Sequence, residues 1–270
     1  MTEALHASDR AVLRVSGPDR HDFLQGLVTN DVRRLEAGPV YAALLSPQGK
    51  YLFDFFLVAS GEDVLVDVKA DRAAALAQRL GMYRLRAKVA IGATDLAVVT
   101  GFGVPPVGAF ADPRHPDLGW RACAADPSAA LAGMAPLAPE AMQARRIALG
   151  VPETGVELLP EESYILEMGF ERLNGVDFRK GCYVGQEVTA RMKHKTELRK
   201  GLVRVRVEGP PPPAGTEVRA GEKVAGTLLS VADGAGLAYL RFDRAQGELV
   251  AGAARVRAAP GEIRPTAAPS

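Results

Sequence analysis

One cysteine lies in a setting that could make its thiol reactive. Cys182 stands between two glycines, and the basic pair Arg179 and Lys180 precedes it. Residues 186–193 predict a short helix with an acid in its first turn and bases later. A thiol ahead of a helix N-terminus and beside cations favours the thiolate. The same pattern fits a buried structural cysteine in a glycine-shaped turn, because free cysteine is commonly buried. Residue chemistry leaves both interpretations open.

A carboxylate interrupts an otherwise apolar strand. Residues 52–58 read Leu-Phe-Asp-Phe-Phe-Leu-Val, with Asp54 as the acid. A buried carboxylate must be hydrogen-bonded or it tends to be protonated, so Asp54 is a candidate ligand-binding acid. An aspartate at a sheet edge is the alternative. Tyr41 lies on the other arm of the predicted hairpin, and an aromatic wall beside an acid suits a heteroaromatic ring with donor nitrogens.

A basic stretch surrounds the cysteine. Residues 172–206 contain ten Arg or Lys and three acids. This excess suits an anionic ligand or an acidic partner, and a solvated surface is the alternative. Few aromatic residues are interleaved, so stacking on single-stranded nucleic acid is not predicted.

Metal and dinucleotide motifs are not predicted. The four histidines are scattered, and neither cysteine has a C-x-x-C partner. No glycine fingerprint opens a strand–helix unit. A Cys–His catalytic pair stays an alternative, and nothing in the sequence selects its histidine.

The segments that carry these residues mix strands with helices. Ser46 to Gly49 predicts the turn of a hairpin, and Pro139 predicts the first turn of a helix that ends before Gly150. The mixture favours α+β layers over an all-parallel sheet. After Lys200, short strands separated by glycines predict a small antiparallel barrel or sandwich. The other predicted strands before Gly150 are at 11–15, 41–45, 50–58, 64–68, 88–91, 96–100 and 120–124. The other predicted helices are one that residues 17–19 open and that contains Phe23, Leu24 and Leu27, and two at 71–82 and 127–131.

Composition sets the broad class. The chain has 270 residues, 47% hydrophobic and 24% charged, with a net charge of +1, which is ordinary for a globular protein. Two cysteines do not make a disulfide framework and fit a reducing compartment. No apolar run reaches bilayer length, and the first residues lack signal or transit character. These features predict a cytoplasmic protein with no membrane partner.

Three segments together resemble a known family. Lys180 to Glu187, K-G-C-Y-V-G-Q-E, resembles the K-G-C-Y-x-G-Q-E signature of the YgfZ family of folate-binding proteins, which are relatives of the glycine cleavage T-protein. Residues 23–32, F-L-Q-G-L-V-T-N-D-V, resemble a segment shared with that family, and residues 146–152 resemble its R-I-x-x-G-x-P segment. Residues near the C-terminus resemble the small barrel of T-proteins.

The resemblance implies an α+β fold of three domains around a central channel. The first two domains would be α+β and the third an antiparallel β-barrel. Because the first T-protein domain is interrupted by the second, residues 1–40 would pack with 135–196, and residues 41–134 would form the second domain. Residues 197–262 would form the barrel, and residues 263–270 a flexible tail.

The resemblance also implies a function. It predicts a monomeric accessory protein that binds tetrahydrofolate or another folate derivative and assists iron–sulfur cluster assembly or repair. Cys182 would act as a redox or transient cluster-contacting thiol, and the cluster would be shared with a carrier or client protein. Asp54 would be a second catalytic residue beside Cys182. The residues assigned to folate are Tyr41, Asp54, Asn30, Lys180, Gln186, Glu187 and Arg146.

The T-protein pattern leaves alternatives open. T-proteins carry a tyrosine followed by a G-G-I-x-D-D stretch, and their first aspartate faces folate. Tyr41 and Asp54 match that tyrosine and that aspartate, but Lys50 and Tyr51 replace the glycines and Phe55 replaces the second aspartate. A tetrahydrofolate-dependent aminomethyltransferase or demethylase is therefore the second hypothesis, and a scaffold that senses folate is the third. Whether the protein is an enzyme stays open.

Overall fold

The computed structural model describes residues 2–195 and 197–262, so the predicted tail at 263–270 lies outside the described residues. The helices are α1 Arg20–Gln25, α2 Ala70–Tyr83, α3 Pro127–Ala130, α4 Pro139–Ala148 and α5 Gln186–Lys195, with short 3-10 helices at Val32–Glu36 and Pro116–Leu118. The strands are β1 Glu3–His6, β2 Arg10–Ser16, β3 Val40–Leu45, β4 Tyr51–Ser60, β5 Asp63–Lys69, β6 Ala90–Ala93, β7 Ala97–Phe102, β8 Phe110–Ala111, β9 Trp120–Ala124, β10 Ala135–Pro136, β11 Lys200–Glu208, β12 Thr216–Ala220, β13 Lys223–Ala232, β14 Ala235–Arg241, β15 Leu249–Ala251 and β16 Ala254–Ala258.

The chain divides into two compact units. The first comprises Met1–Pro139 with Glu171–Gln186, and the second comprises Glu140–Phe170 with Glu187–Ser270. Each unit is therefore built from two separate stretches of chain. The three-domain division with its boundaries at 40, 134 and 196 stays a prediction.

The first unit contains two five-stranded sheets. One has the strand order β3-β4-β5-β2-β6 and the other β10-β1-β7-β9-β8. Strand β4 is buried on both faces, and apart from Asp54 its buried residues are apolar or aromatic. Phe53, Phe55 and Leu57 join the core under α1 and α2, so Asp54 and Phe56 face away from that core. This face carries the candidate acid.

A closed barrel forms much of the second unit. Its strands follow the order β11-β14-β13-β12-β15-β16, and every neighbouring pair is antiparallel. Along β11, Val203, Val205 and Val207 point into the barrel core, as the period of two residues in a strand requires. The predicted α+β class with a C-terminal antiparallel barrel is confirmed. Within residues 2–195 and 197–262, no helix is long and apolar enough to cross a bilayer.

Candidate functional site

Cys182 lies on the surface of the first unit. The segment 178–185, which we call the thiol loop, has no helix or strand, and its cysteine is exposed and free. This exposure does not fit the interpretation of Cys182 as a buried structural residue. Gly181 has φ +96°, and a Cβ added there would meet no atom within 4 Å, so its positive φ is what requires glycine.

Lys180 fixes the start of the thiol loop. Its Nζ donates to the carbonyl oxygen of Gln25 at 2.7 Å and also to that of Val28. Gln25 ends helix α1, and a cation at a helix C-terminus satisfies carbonyls that lack helical partners. Burial lowers the pKa of Lys180 to about 8, although Asp31 and Asp177 oppose this shift. The ammonium group is therefore held by protein carbonyls.

The end of the thiol loop rests on the β3–β4 hairpin. A Cβ added at Gly185 would lie 2.5 Å from the carbonyl oxygen of Ser46 and 2.9 Å from Cβ of Leu45, so only glycine allows this close approach. Tyr183 is buried, and Val184 packs against the main core of the unit. The loop is thus fixed on both sides of its exposed cysteine.

Asp54 is held by two buried phenols. The Tyr51 hydroxyl donates to its Oδ1 at 2.7 Å, and the Tyr41 hydroxyl donates to its Oδ2 at 3.0 Å. Asp54 is 6% exposed and both tyrosines are fully buried. Burial, together with the Asp54 charge, holds the pKa of Tyr41 well above its usual range, so Tyr41 is a neutral donor. We call these three residues the tyrosine–aspartate site.

A network of guanidinium and carboxylate groups lies beside this site. Asp67 accepts from Arg10 at 2.7 Å and from Arg121 at 2.6 Å, and Asp112 accepts from Arg114 at 2.7 Å. Burial opposes the charge on Asp67, but the two arginines hold the pKa of Asp67 below its usual value. We call these five residues the arginine network.

Phe56 connects the arginine network with the tyrosine–aspartate site. The Arg10, Arg114 and Arg121 guanidiniums lie 4.4–5.6 Å from the centre of its ring, within the range of cation–π attraction. The Tyr41 ring lies 5.3 Å from the same ring. A cluster of cationic and aromatic groups therefore lies against Tyr41, one of the two phenols that hold Asp54.

Asn30 fastens strand β3 to the segment before the thiol loop. Its Nδ2 donates to the carbonyl oxygens of Tyr41 at 2.8 Å and Asn174 at 2.6 Å. Thr29 acts in the same way, because its hydroxyl donates to Gly175. The structure thus brings Asn30 close to Tyr41 through the backbone, and its role toward folate stays a prediction.

The remaining predicted residues lie elsewhere. Gln186 begins α5 at the end of the first unit. Glu187 and Arg146 belong to the second unit. Glu187 is exposed and pairs with Arg191. Arg146 is buried and donates to Glu157 at 3.0 Å and to the Val151 carbonyl at 3.1 Å. Their predicted contacts with folate stay predictions.

Sequence reasoning missed Tyr51 as a partner of Asp54. In a regular strand, residues 51 and 54 point to opposite faces. The β3–β4 register shifts, because Leu44 pairs with Phe53 whereas Leu45 pairs with Tyr51. This β-bulge turns Tyr51 to the face of Asp54. Gln25 and the arginine network were also missed, since their partners are far away in sequence.

Comparisons with known proteins agree with this architecture. Residues 199–265 match the family model described as the CAF17 C-terminal beta-barrel domain. By structure, the chain is similar to the glycine cleavage system aminomethyltransferase T from Bartonella henselae, with a TM-score of 0.79 over 95% of this chain and 84% of that chain. At 15% sequence identity, this likeness shows the fold alone.

Similarity in sequence narrows the assignment further than similarity in structure does. The chain is 32% identical to the iron–sulfur cluster assembly factor IBA57, mitochondrial, of Mus musculus, over 89% of this chain and 78% of that protein. The Homo sapiens protein of the same name has the same identity and coverage. The homolog from Mycosarcoma maydis is 35% identical, over 76% of this chain and 58% of that protein. The chain thus spans between about half and four-fifths of the relatives it matches.

The relatives correct one prediction. They are mitochondrial by name, so the prediction of a cytoplasmic protein is wrong. It rested on the two cysteines, on the lack of a membrane-length apolar run and on the character of the first residues. Two unpaired cysteines fit any reducing compartment, so they do not select the cytoplasm. Taken together, the identity and coverage show that the chain belongs to the IBA57 family of iron–sulfur cluster assembly factors.

Proposed function

We propose that this protein assists iron–sulfur cluster assembly or repair through the Cys182 thiol, as a YgfZ-like factor. The observation that carries the proposal is an exposed cysteine in a loop that is fixed on both sides. A thiolate is the protein ligand that iron–sulfur clusters prefer. A fixed and accessible thiol can meet a cluster without first ordering its own loop.

One cysteine cannot hold a stable cluster, because such clusters need about four protein ligands. The cluster is therefore substrate, and Cys182 contacts it transiently while a carrier or client protein supplies the other ligands. Alternatively, the Cys182 thiolate attacks a disulfide on that partner, which forms a mixed disulfide and releases the partner's other sulfur as a thiolate.

A complementation assay tests the role of the thiol. Cells that lack the native gene would receive the wild type, Cys182→Ala or Cys123→Ala, and the activity of a [4Fe-4S] enzyme would be measured. We expect the rescued enzyme activity to be at least ten-fold lower with Cys182→Ala than with the wild type, and unchanged with Cys123→Ala. Full rescue by Cys182→Ala would rule out the proposed thiol chemistry.

A second candidate function is folate binding at the tyrosine–aspartate site. The supporting observation is a carboxylate held between two phenols beside Phe56 and three guanidiniums. A pterin ring offers donor nitrogens for the acid and a flat face for the aromatic residues. Calorimetric titration with tetrahydrofolate would test this, with Asp54→Asn expected to weaken binding at least ten-fold. No heat at millimolar folate for the wild type would exclude it.

Aminomethyl transfer is weaker as a proposal. Tyr51, which replaces a T-protein glycine, donates directly to Asp54, so the acid is less available to a reacting amine. Incubation with tetrahydrofolate and methylamine donors tests this alternative, since formation of methylene-tetrahydrofolate would establish it. If folate binds without turnover and Asp54→Asn leaves partner capture intact, the protein is a scaffold that senses folate.

A further inference from the structure

We propose that Gln25 is a positioning residue for the Cys182 thiol, an inference that rests on the proposed function. Gln25 ends helix α1, and its chain position is 155 residues from Lys180. It does not itself need to touch the bound cluster. It acts through the backbone that carries the thiol.

A reciprocal pair of hydrogen bonds links Gln25 with Lys180. The Gln25 Nε2 donates to the carbonyl oxygen of Lys180 at 3.2 Å, and the Lys180 Nζ donates to the carbonyl oxygen of Gln25 at 2.7 Å. Each side chain thus binds the backbone of the other residue. The Lys180 side chain is anchored by its bonds to Gln25 and Val28, and the Gln25 amide adds a bond to the main chain of the loop itself.

Gln25 is itself held in place. Its Oε1 accepts from the backbone N–H of Val32 at 2.8 Å, and its Nε2 also donates to Asp31 at 3.1 Å. These contacts fix the amide group in one orientation, with its N–H groups toward Asp31 and Lys180. The carbonyl of Lys180 therefore meets a rigid donor rather than a mobile one.

The fixed carbonyl is two residues from the thiol. Between them lies Gly181, which has a positive φ and no side chain to restrict its backbone. After the thiol, Tyr183 is buried and Gly185 is wedged against Ser46. Without the Gln25 bond, we expect Cys182 to stay exposed but to sample many positions. Small reagents would still reach it, whereas a cluster on a partner needs one position.

The test compares Gln25→Glu with Gln78→Glu. Glutamate at position 25 can still accept from Val32 but cannot donate to the Lys180 carbonyl. Gln78 is exposed on α2 of the same unit and controls for the added charge. In the Cys123→Ser background, a nitroxide label on Cys182 would report loop motion by electron paramagnetic resonance. Urea midpoints and rescue of a [4Fe-4S] enzyme would be measured in parallel.

We expect Gln25→Glu to narrow the label spectrum and reduce rescue at least five-fold. Its urea midpoint should be lower than that of Gln78→Glu, because the new carboxylate faces Asp31, but the protein should still unfold in one cooperative transition. If Gln25→Glu does not fold, Gln25→Met would be measured in the same way. An unchanged spectrum, or full rescue while Cys182→Ala fails, would overturn the positioning role. If Cys182→Ala itself rescues fully, the proposed function fails, and the label spectrum still decides whether Gln25 orders the loop.

Discussion

The thiol loop and the tyrosine–aspartate site hold their reactive groups in opposite ways. In the loop, the protein binds the backbone on both sides of Cys182 and leaves its side chain in solvent. At the buried site, the side chain of Asp54 itself is bound, by Tyr41 and Tyr51. The first arrangement keeps a group ready for an external partner, and the second makes a group part of the interior.

This contrast teaches how function and stability divide between the two regions. Removing an exposed thiol leaves no buried group without a partner, so its cost appears in activity. Removing a buried carboxylate leaves polar donors without acceptors, so its cost appears in the free energy of unfolding. Substitutions in the two regions test this division, and their expected effects on stability range from several kcal/mol for buried carboxylates to almost none for the exposed thiol.

Asp67→Ala should destabilise the protein most. It would leave Arg10 and Arg121 without their shared buried carboxylate, and breaking a buried pair in this way costs about 3–5 kcal/mol. Urea unfolding followed by circular dichroism would measure the loss. Asp63→Ala is the matched control, because Asp63 makes a looser, more exposed pair with Arg14 at 3.7 Å, and equal losses would contradict the prediction.

Asp54→Ala should have the next largest effect. It would remove the carboxylate that accepts from the Tyr41 and Tyr51 hydroxyls, at a cost of about 2–4 kcal/mol for two buried hydrogen bonds. Asp54→Asn keeps an acceptor oxygen and should lose less. Urea unfolding of both variants would test the order, and a loss from Asp54→Ala below that of Asp54→Asn would contradict the buried geometry.

Tyr51→Phe should have an intermediate effect. It removes one hydrogen bond of 2.7 Å to a carboxylate and fills nearly the same volume, which predicts a loss of about 1–3 kcal/mol. Thermal unfolding would measure it. The variant also tests whether Tyr51 keeps Asp54 from a ligand, because tetrahydrofolate should then bind more tightly to Tyr51→Phe than to the wild type.

Cys182→Ala should change the stability least, by no more than about 0.5 kcal/mol. In the native wild type, a thiol reagent at pH 8 should modify Cys182 rapidly and Cys123 slowly. Burial raises the pKa of Cys123 to about 12, so its thiolate is scarce at that pH. Mass spectrometry of tryptic peptides would locate the label, and equal rates at the two cysteines would contradict the assignment.

The Cys123 pKa also sets a direction for stability against pH. The folded protein keeps this proton above pH 9, where the unfolded chain begins to release it. The unfolded state then binds fewer protons, so the Cys123 contribution to stability falls as pH rises from about 9 to 12. Comparing wild type with Cys123→Ala by urea unfolding across that range would reveal it, and a contribution that rises with pH would contradict it.

The sequence predicts the elements with strong local patterns. The β3–β4 hairpin, helix α2 and the barrel strands follow from period-2 or period-3.6 apolar spacing and from clear turns. Strands β1, β8, β10 and β15 were missed because they have two to four residues. Strand β1 is defined by pairing with distant strands β7 and β10, which local spacing does not reveal.

The residues of the candidate site likewise fall into those that local sequence reveals and those that only the fold reveals. Cys182, Asp54 and Tyr41 were identifiable from local context and from the family signature. Tyr51 depended on a β-bulge, and the pairing of Asp67 with Arg121 spans 54 residues. Such partners become visible only when the chain is folded.

The reciprocal pair of Gln25 and Lys180 sets an order of events during synthesis. At ribosomal rates of about 5–20 residues per second, the 155 residues between them take roughly 8–30 s to appear. Helix α1 is complete at the start of that interval and the β3–β4 hairpin is synthesised early in it, whereas the cysteine is made only near its end. The thiol loop is therefore among the last parts of the first unit to be completed. In a nascent chain, Cys182 can take its position only after helix α1 and the β3–β4 hairpin, which the thiol loop contacts, have been synthesised.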